Sequence, residues 1–257
     1  MKVANLEAAL RRKYGDPAEV RQYSSIASQG LSLFEEKLVR QSFAPGQRVL
    51  DIGCGGGREA VPMAQYGLRV VGMDLIPAMV LAARCYGVEN GQAISFLVGN
   101  VAELPFRDAS FDGVAMLGQV LTFIPGRDKR IDALRSAWRA LRPGGALAMT
   151  THNRHYRWQC RLYFFVVNRV RRLARRLGYD SELGDNDRWT ARISAARSRH
   201  PVCFHMYDLD EAVADLQAAG FEVVAAKGHA EFETGRADPA LRTKDCLLGF
   251  IARRPGG

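Results

Sequence analysis

The 257-residue chain is poor in everything that would hold it together covalently or thread it through a bilayer. Its five cysteines, Cys54, Cys85, Cys160, Cys203 and Cys246, are odd in number, scattered, and never form a CxxC pair. That argues against a disulfide framework and against a zinc site, and it suits a reducing compartment. The longest apolar run, Leu162 to Val167, is far too short to span a membrane. The first thirty residues hold no apolar core of signal-peptide length. No internal repeat and no low-complexity tract is present. The expectation is a soluble, cytoplasmic protein with no resident metal, its acids dispersed and its histidines unclustered. Acidic charge is also scarce. The net charge is +9, and eight of those charges fall in one fifth of the chain, where residues 151–200 carry twelve arginines against four acids. The question of an anionic partner therefore belongs to one segment.

What the chain has in abundance is glycine at one place. The strand-forming run Arg48 to Ile52 ends in Gly53-Cys54-Gly55-Gly56-Gly57, four glycines in five residues, and a helix-permissive segment, Glu59 to Tyr66, follows. A strand, a glycine turn and a helix in that order let a backbone approach a nucleoside-bearing ligand closely, although an ordinary tight turn reads the same way. A second strand, Leu68 to Asp74, ends in an acid 21 residues past Gly53. A carboxylate there can accept from both hydroxyls of a ribose, or it can cap the helix Ala78 to Cys85, which Pro77 introduces.

Further strands are expected at Ile94–Val98, through Val114–Met116, and at Ala146–Thr150. An amphipathic helix over Asp128–Leu141 is stopped by Leu141-Arg142-Pro143-Gly144-Gly145. Strands alternating with helices imply a parallel, doubly wound α/β sheet. Residues 1–45 read as a helical cap in two pieces broken at Gly15-Asp16-Pro17. Tyr14 and Tyr23 in it either pack on the sheet or help cover the ligand site. Near the C-terminus, Asp208 with Glu211 forms a capping-box pattern for a helix over Leu209–Ala219, and Phe221–Ala226 and Cys246–Ala252 read as strands.

Four motifs in order carry a resemblance: Val49-Leu50-Asp51-Ile52-Gly53-Cys54-Gly55; Asp74; Leu104-Pro105-Phe106 with Ser110-Phe111-Asp112; and Leu141-Arg142-Pro143-Gly144-Gly145. Together they resemble the class I S-adenosylmethionine-dependent methyltransferases, within them the type 11-like branch acting on small molecules and peptides. The likeness covers roughly residues 45–153 and 204–254. It implies a Rossmann-like, mostly parallel seven-stranded sheet, its last two strands an antiparallel pair, and S-adenosylmethionine as cofactor. Carried onto this chain, Gly53 and Gly55 pass beside the methionine part, with Cys54 between them. Asp51 steadies the turn and the ammonium end, Asp74 holds the ribose with Leu75 beside it, Asn100 and Val101 face the adenine, and Gln119 lies by the methionine moiety. The family commonly has Asp where this chain has Asn100, which removes a charge.

The expected organisation is a helical cap at 1–45, the cofactor domain at 46–153 and 201–257, and a basic helical insert at 154–200. In the insert, Trp158, Leu162, Val166, Val170, Leu173 and Leu177 fall at helical spacing among arginines, so a helix over His155–Leu177 is expected, followed by a polar loop over Gly178–Pro201. It reads as a lid over the substrate, a solvated structural insert, or a peripheral membrane contact through 155–177. Candidate proton acceptors are His152, His155 and Tyr156. Candidate substrate contacts are Tyr14, Tyr23, Arg157, Arg161, His205 and Tyr207. The acceptor is expected to be a small molecule or peptide terminus, an amine nitrogen first, with O- or C-methylation of a natural product or quinone-like lipid as the alternative.

Two other classes fit less well. A nicotinamide dehydrogenase would put a third glycine at position 58, where Arg58 stands, and a nucleic-acid-binding protein lacks any recognised motif here. Nothing in the sequence fixes the oligomeric state.

Overall fold

The computed structural model describes residues 3–179, 183–190, 200–236 and 245–256. At its centre is a seven-stranded sheet. The first five strands are β1 (Arg48–Ile52), β2 (Arg69–Asp74), β3 (Ser95–Val98), β4 (Phe111–Met116) and β5 (Leu141–His152). They are joined by β8 (Glu222–Gly228) and β9 (Leu247–Arg253), in the order β3-β2-β1-β4-β5-β9-β8. The pairs among β1 to β5 are parallel, and β9 runs antiparallel to both β5 and β8. The strand order reverses between β1 and β4, and the crevice at such a reversal is where doubly wound sheets take ligands.

Alternation along β1 sorts the core. Leu50 and Ile52 join the layer beneath α6 (Arg127–Ala140) and α8 (Leu209–Ala218). Val49 faces the other layer, with α3 (Leu33–Ser42), α4 (Ala60–Gln65) and α5 (Pro77–Glu89). Asp51 shares the Val49 face and is 1% exposed, so a carboxylate sits inside that layer directly under the glycine turn.

The N-terminal cap is three helices, not two: α1 (Val3–Tyr14), α2 (Pro17–Ala27) and α3. Asp16 accepts from the Ala18 N–H at 2.8 Å to start α2, with Pro17 at its first position. Ser32 and Glu35 form a capping box that starts α3, just after Gly30 turns the chain at φ +63°. A fully buried ion pair, Lys13 Nζ to Glu19 Oε1 at 2.6 Å, clamps α1 to α2.

Two further differences lie in the C-terminal half. The stretch 178–201 is not all loop: Asp187–Thr190 (β6) pairs antiparallel with Val202–His205 (β7) in a separate ribbon. A four-residue strand pattern interrupted by Asp and Arg is too short to stand out in sequence. The capping box at α8 is only half made. Asp208 accepts from the Glu211 N–H at 2.7 Å, but the Glu211 carboxylate turns away to His205 and Asn186. A short helix, α9 (His229–Thr234), completes the fold.

The insert helix, α7 (Trp158–Arg176), buries Phe164 and Asn168 against the ribbon. Its apolar row from Leu162 to Leu177 faces solvent.

Candidate cofactor and acceptor site

The glycine turn after β1 is held by the strand beside it. Gly53 N–H donates to the Met73 carbonyl at 2.7 Å, and Gly55 N–H donates to Asp74 Oδ2 at 2.9 Å. The other oxygen of Asp74 accepts from the Ile76 N–H at 2.8 Å. Asp74 thus locks the turn and the start of α5 at once, while each of its oxygens keeps a further lone pair. Gly53 has φ +76°, and a Cβ there would stand 2.3 Å from Val120 Cγ2. Gly55 has φ +50° and open space where its side chain would be. Both positions need glycine, the first for crowding and backbone, the second for backbone and the space it leaves at the wall.

That wall belongs to a cavity of about 550 Å³ at the switch point. Its size is in the range of small-molecule and cofactor sites. Six of the nine expected cofactor residues line it: Gly53, Gly55, Asp74, Leu75, Asn100 and Val101. Asn100 Oδ1 accepts from the Ala102 N–H at 3.0 Å, so the amide shapes its own loop and keeps one lone pair and its NH2.

The other three lie behind the wall. Cys54 is buried beside Gly72. Gln119, with φ +60°, turns back so that its backbone and side-chain N–H groups reach Thr150 Oγ1, and its neighbours Gly118 and Val120 line the cavity instead. Asp51 is enclosed beneath the turn, and its Oδ2 has no hydrogen-bond partner.

Around Asp51 the charges are unbalanced. Glu59, Glu35 and Asp74 all act on it, and Arg58 is the nearby cation. Arg58 bonds Glu35 at 2.7 and 2.8 Å and also Glu59. Burial pushes Asp51 well above the carboxylate range and raises Glu59 to about 7, Arg58 working against that rise. Burial raises Asp74 as well. Glu59 Oε1 stands immediately behind Gly118, 3.3 Å from where a Cβ would be. Asp51, Glu59 and Glu35 thus stand behind this end of the cavity with Arg58 beside them.

The N-terminal cap closes the opposite side. Tyr14 and Tyr23 line the cavity in an edge-on pair, ring centroids 5.5 Å apart, and Phe123 stacks edge-on to Tyr14 at 5.6 Å. Burial holds both phenols above their ordinary pKa. Arg11 in α1 reaches the Leu75 carbonyl at 3.3 Å, tying the cap to the loop after β2. Sequence reasoning missed Glu7, Phe123, Lys129 and Asp132 in this wall. Only Phe123 had a signal, an aromatic placed just after β4.

The remaining candidates stand elsewhere. His152 ends β5 against Phe204, and burial lowers it to about 4, so it is neutral at working pH and a weak base. Burial, then Arg154 and Arg161, lower His155. The Tyr156 hydroxyl accepts from Arg157 at 3.2 Å. His205 is enclosed, at 2.8 Å from Asp187 and 2.9 Å from Glu211, and the buried Tyr207 hydroxyl donates to Asp215 at 3.2 Å. Arg157, just before α7, and Arg161 on it are exposed. Among the described residues none of these lines the cavity, because the cap helices occupy the place expected of the insert. Among the described residues, too, no three His, Cys, Asp or Glu side chains group closely enough to hold a metal ion.

Residues 50–149 match the family model described as a methyltransferase domain. The chain is 39% identical over 110 residues to a ubiquinone biosynthesis O-methyltransferase of Xanthomonas axonopodis pv. citri, covering 42% of this chain and 44% of that protein. A protein of the same name from Xylella fastidiosa is 34% identical over 110 residues, 42% of this chain and 43% of its own length. The chain thus matches less than half the length of these curated relatives. Solved structures share the fold more widely. The CcbJ methyltransferase of Streptomyces caelestis superimposes with a TM-score of 0.66 at 20% identity, over 95% of this chain and 98% of that one. The 1,6-didemethyltoxoflavin-N1-methyltransferase of Burkholderia thailandensis, solved with S-adenosylhomocysteine, gives 0.62 at 19% identity, over 99% and 91%.

Proposed function

We propose that this chain, whose residues 50–149 match the methyltransferase-domain model, transfers a methyl group from S-adenosylmethionine to a small molecule. One observation carries the reading: the glycine turn, Asp74 and Asn100–Val101 open into a single cavity, and more buried carboxylates than cations stand behind its inner end. The open space at Gly55 and the unpartnered Asp51 Oδ2 fit a bulky cationic cofactor.

When bound, S-adenosylmethionine supplies a methyl group on a positively charged sulfur, open to in-line displacement. The residues then divide the work. Asp74 offers its remaining lone pairs to the ribose hydroxyls, and Asn100 and Val101 face the adenine. Asp51 and Glu59 supply the negative field for the ammonium and sulfonium end. Tyr14, Tyr23 and Phe123 shut water out of the acceptor side and orient what enters.

Within the small-molecule class, an amine nitrogen is the first reading for the acceptor. The wall carries Glu7, Glu103 and Asp132 against Lys129, which suits a cationic guest. A hydroxyl oxygen is the second reading, favoured by the O-methyltransferase name of the curated relatives. With His152, His155 and Tyr156 outside the wall, alignment carries more of the chemistry than a dedicated base.

The test is calorimetric titration with S-adenosylmethionine and NAD, followed by labelled methyl transfer to matched panels of primary amines and catechols. Binding of NAD but not S-adenosylmethionine would overturn the activity. Transfer to catechols alone would exchange the first acceptor for the second.

A further inference from the structure

The row that should have been the buried face of α7 is its most exposed part. Trp158, Leu162, Val166, Val170, Leu173 and Leu177 are each 50–68% exposed. The cause is the opposite face, which is already docked. Phe164 is buried, the Asn168 and Asn186 amides bond each other at 2.8 Å, and Arg171 reaches the Gly184 and Asp187 carbonyls at 2.9 Å. Leu162, Val166, Val170, Leu173 and Leu177 follow one another by four, four, three and four residues, so they form one stripe pointing away from that anchored face. Helical geometry puts Arg161, Arg169, Arg172 and Arg176 together along one flank of the stripe. Trp158 opens the helix, and the exposed Tyr179 follows its end.

We propose that α7 is an interfacial helix that lays its Leu162–Leu177 stripe into the surface of an anionic phospholipid bilayer. Charge decides the occupant. No acidic residue lies between Arg154 and Tyr179, and although Asp185 stands 3.6 Å from Arg172, the flank keeps an excess of positive charge complementary to anionic headgroups. A second copy of this chain would bring the same arginines against its own and is disfavoured by like-charge repulsion. Crossing is not at issue: among the described residues no helix is long and apolar enough to span a membrane. An apolar stripe, a basic flank and aromatic side chains at both ends are the features that hold a helix in the plane of the interface. The ribbon that anchors α7 also packs on α1 through β7, so the membrane face and the cavity wall belong to one packed unit.

The test is flotation of the full chain with vesicles of phosphatidylcholine alone and of phosphatidylcholine mixed with phosphatidylglycerol. The chain should float with the mixed vesicles only, less so in high salt, and Trp158 emission should shift to the blue. Leu162→Glu with Leu173→Glu should lower partitioning at least about tenfold, since the stripe supplies the apolar area. Arg161→Gln with Arg176→Gln should weaken it through charge alone. These four side chains are exposed, so circular dichroism and S-adenosylmethionine affinity should stay unchanged. That readout separates failure here from failure of the methyl-transfer reading. Two results would overturn the proposal: wild-type protein that stays with the buffer, or a leucine variant that floats as well as wild type. A concentration-dependent dimer abolished by the leucine changes would also overturn it and assign the stripe to a second copy.

Discussion

At the scale of single residues, Asp74 and Glu59 set the site by different means. Asp74 binds the backbone of the turn through both oxygens, and the proposed function gives its remaining lone pairs to a ribose. Asp74→Ala should weaken S-adenosylmethionine binding about ten- to a hundredfold, the worth of about 1.5–3 kcal/mol for a charge-assisted contact. Calorimetry that finds unchanged affinity removes the ribose role. Gly55→Val should abolish binding yet leave a folded protein, because the added side chain has space but meets backbone strain at φ +50°. Circular dichroism beside the titration separates that outcome from unfolding, which would make the turn purely structural.

At the scale of elements, the cap helices wall the cavity through Glu7, Leu10, Tyr14 and Tyr23, whereas the sequence offered the insert as a candidate lid. Their attachment depends on a buried charge pair, and breaking one partner strands the other in the interior. Lys13→Met should therefore lower stability by about 3 kcal/mol, read as a shifted urea midpoint. Lys13→Met with Glu19→Leu should recover much of the loss, since packing then replaces both charges. A single variant as stable as wild type would mean that the pair does not hold α1 on α2. Closure by the cap explains why aromatic side chains more than a hundred residues apart, Tyr14 and Phe123, meet on one wall. Among the described residues, no side chain of α7 lines that wall.

At the scale of the whole molecule, the buried acids make stability depend on pH. Glu59 keeps its proton in the folded chain up to about 7, whereas an unfolded glutamate loses it near 4.3. The unfolded state therefore gains by ionisation between those values, and stability from this group falls as pH rises through that window. His152 works oppositely. Its folded pKa is lowered to about 4, so the unfolded chain takes up a proton below about 6.5 and stability falls as pH drops there. The two effects overlap and oppose each other, so the comparison of variant with wild type isolates Glu59. Relative to wild type, Glu59→Gln should gain stability as pH rises from about 4.3 to 7, and bound S-adenosylmethionine should offset the wild-type loss by pairing the ionised carboxylate. Denaturant titrations of both proteins across that range check this, and a variant whose stability runs parallel to wild type rejects a raised Glu59.

The sequence alone determined the parallel sheet, the glycine turn and the tip position of Asp74, while Asn100 and Val101 were singled out by the family resemblance. Each rests on contacts close along the chain: a strand period, a turn needing positive φ, an acid at the end of the next strand. It determined the apolar row on α7 as well, but not the direction in which the row faces. Only tertiary structure decided that. The ribbon of β6 and β7 claims the Phe164–Asn168 face through paired amides, and the stripe is left outside. The same holds for His205, Tyr207 and Gln119. Nothing in their spacing distinguishes a side chain aimed at the cavity from one absorbed by a partner on another element, here Asp187, Asp215 and Thr150. Local pattern fixes which elements form, whereas the choice of buried face depends on the long-range contacts that compete for it.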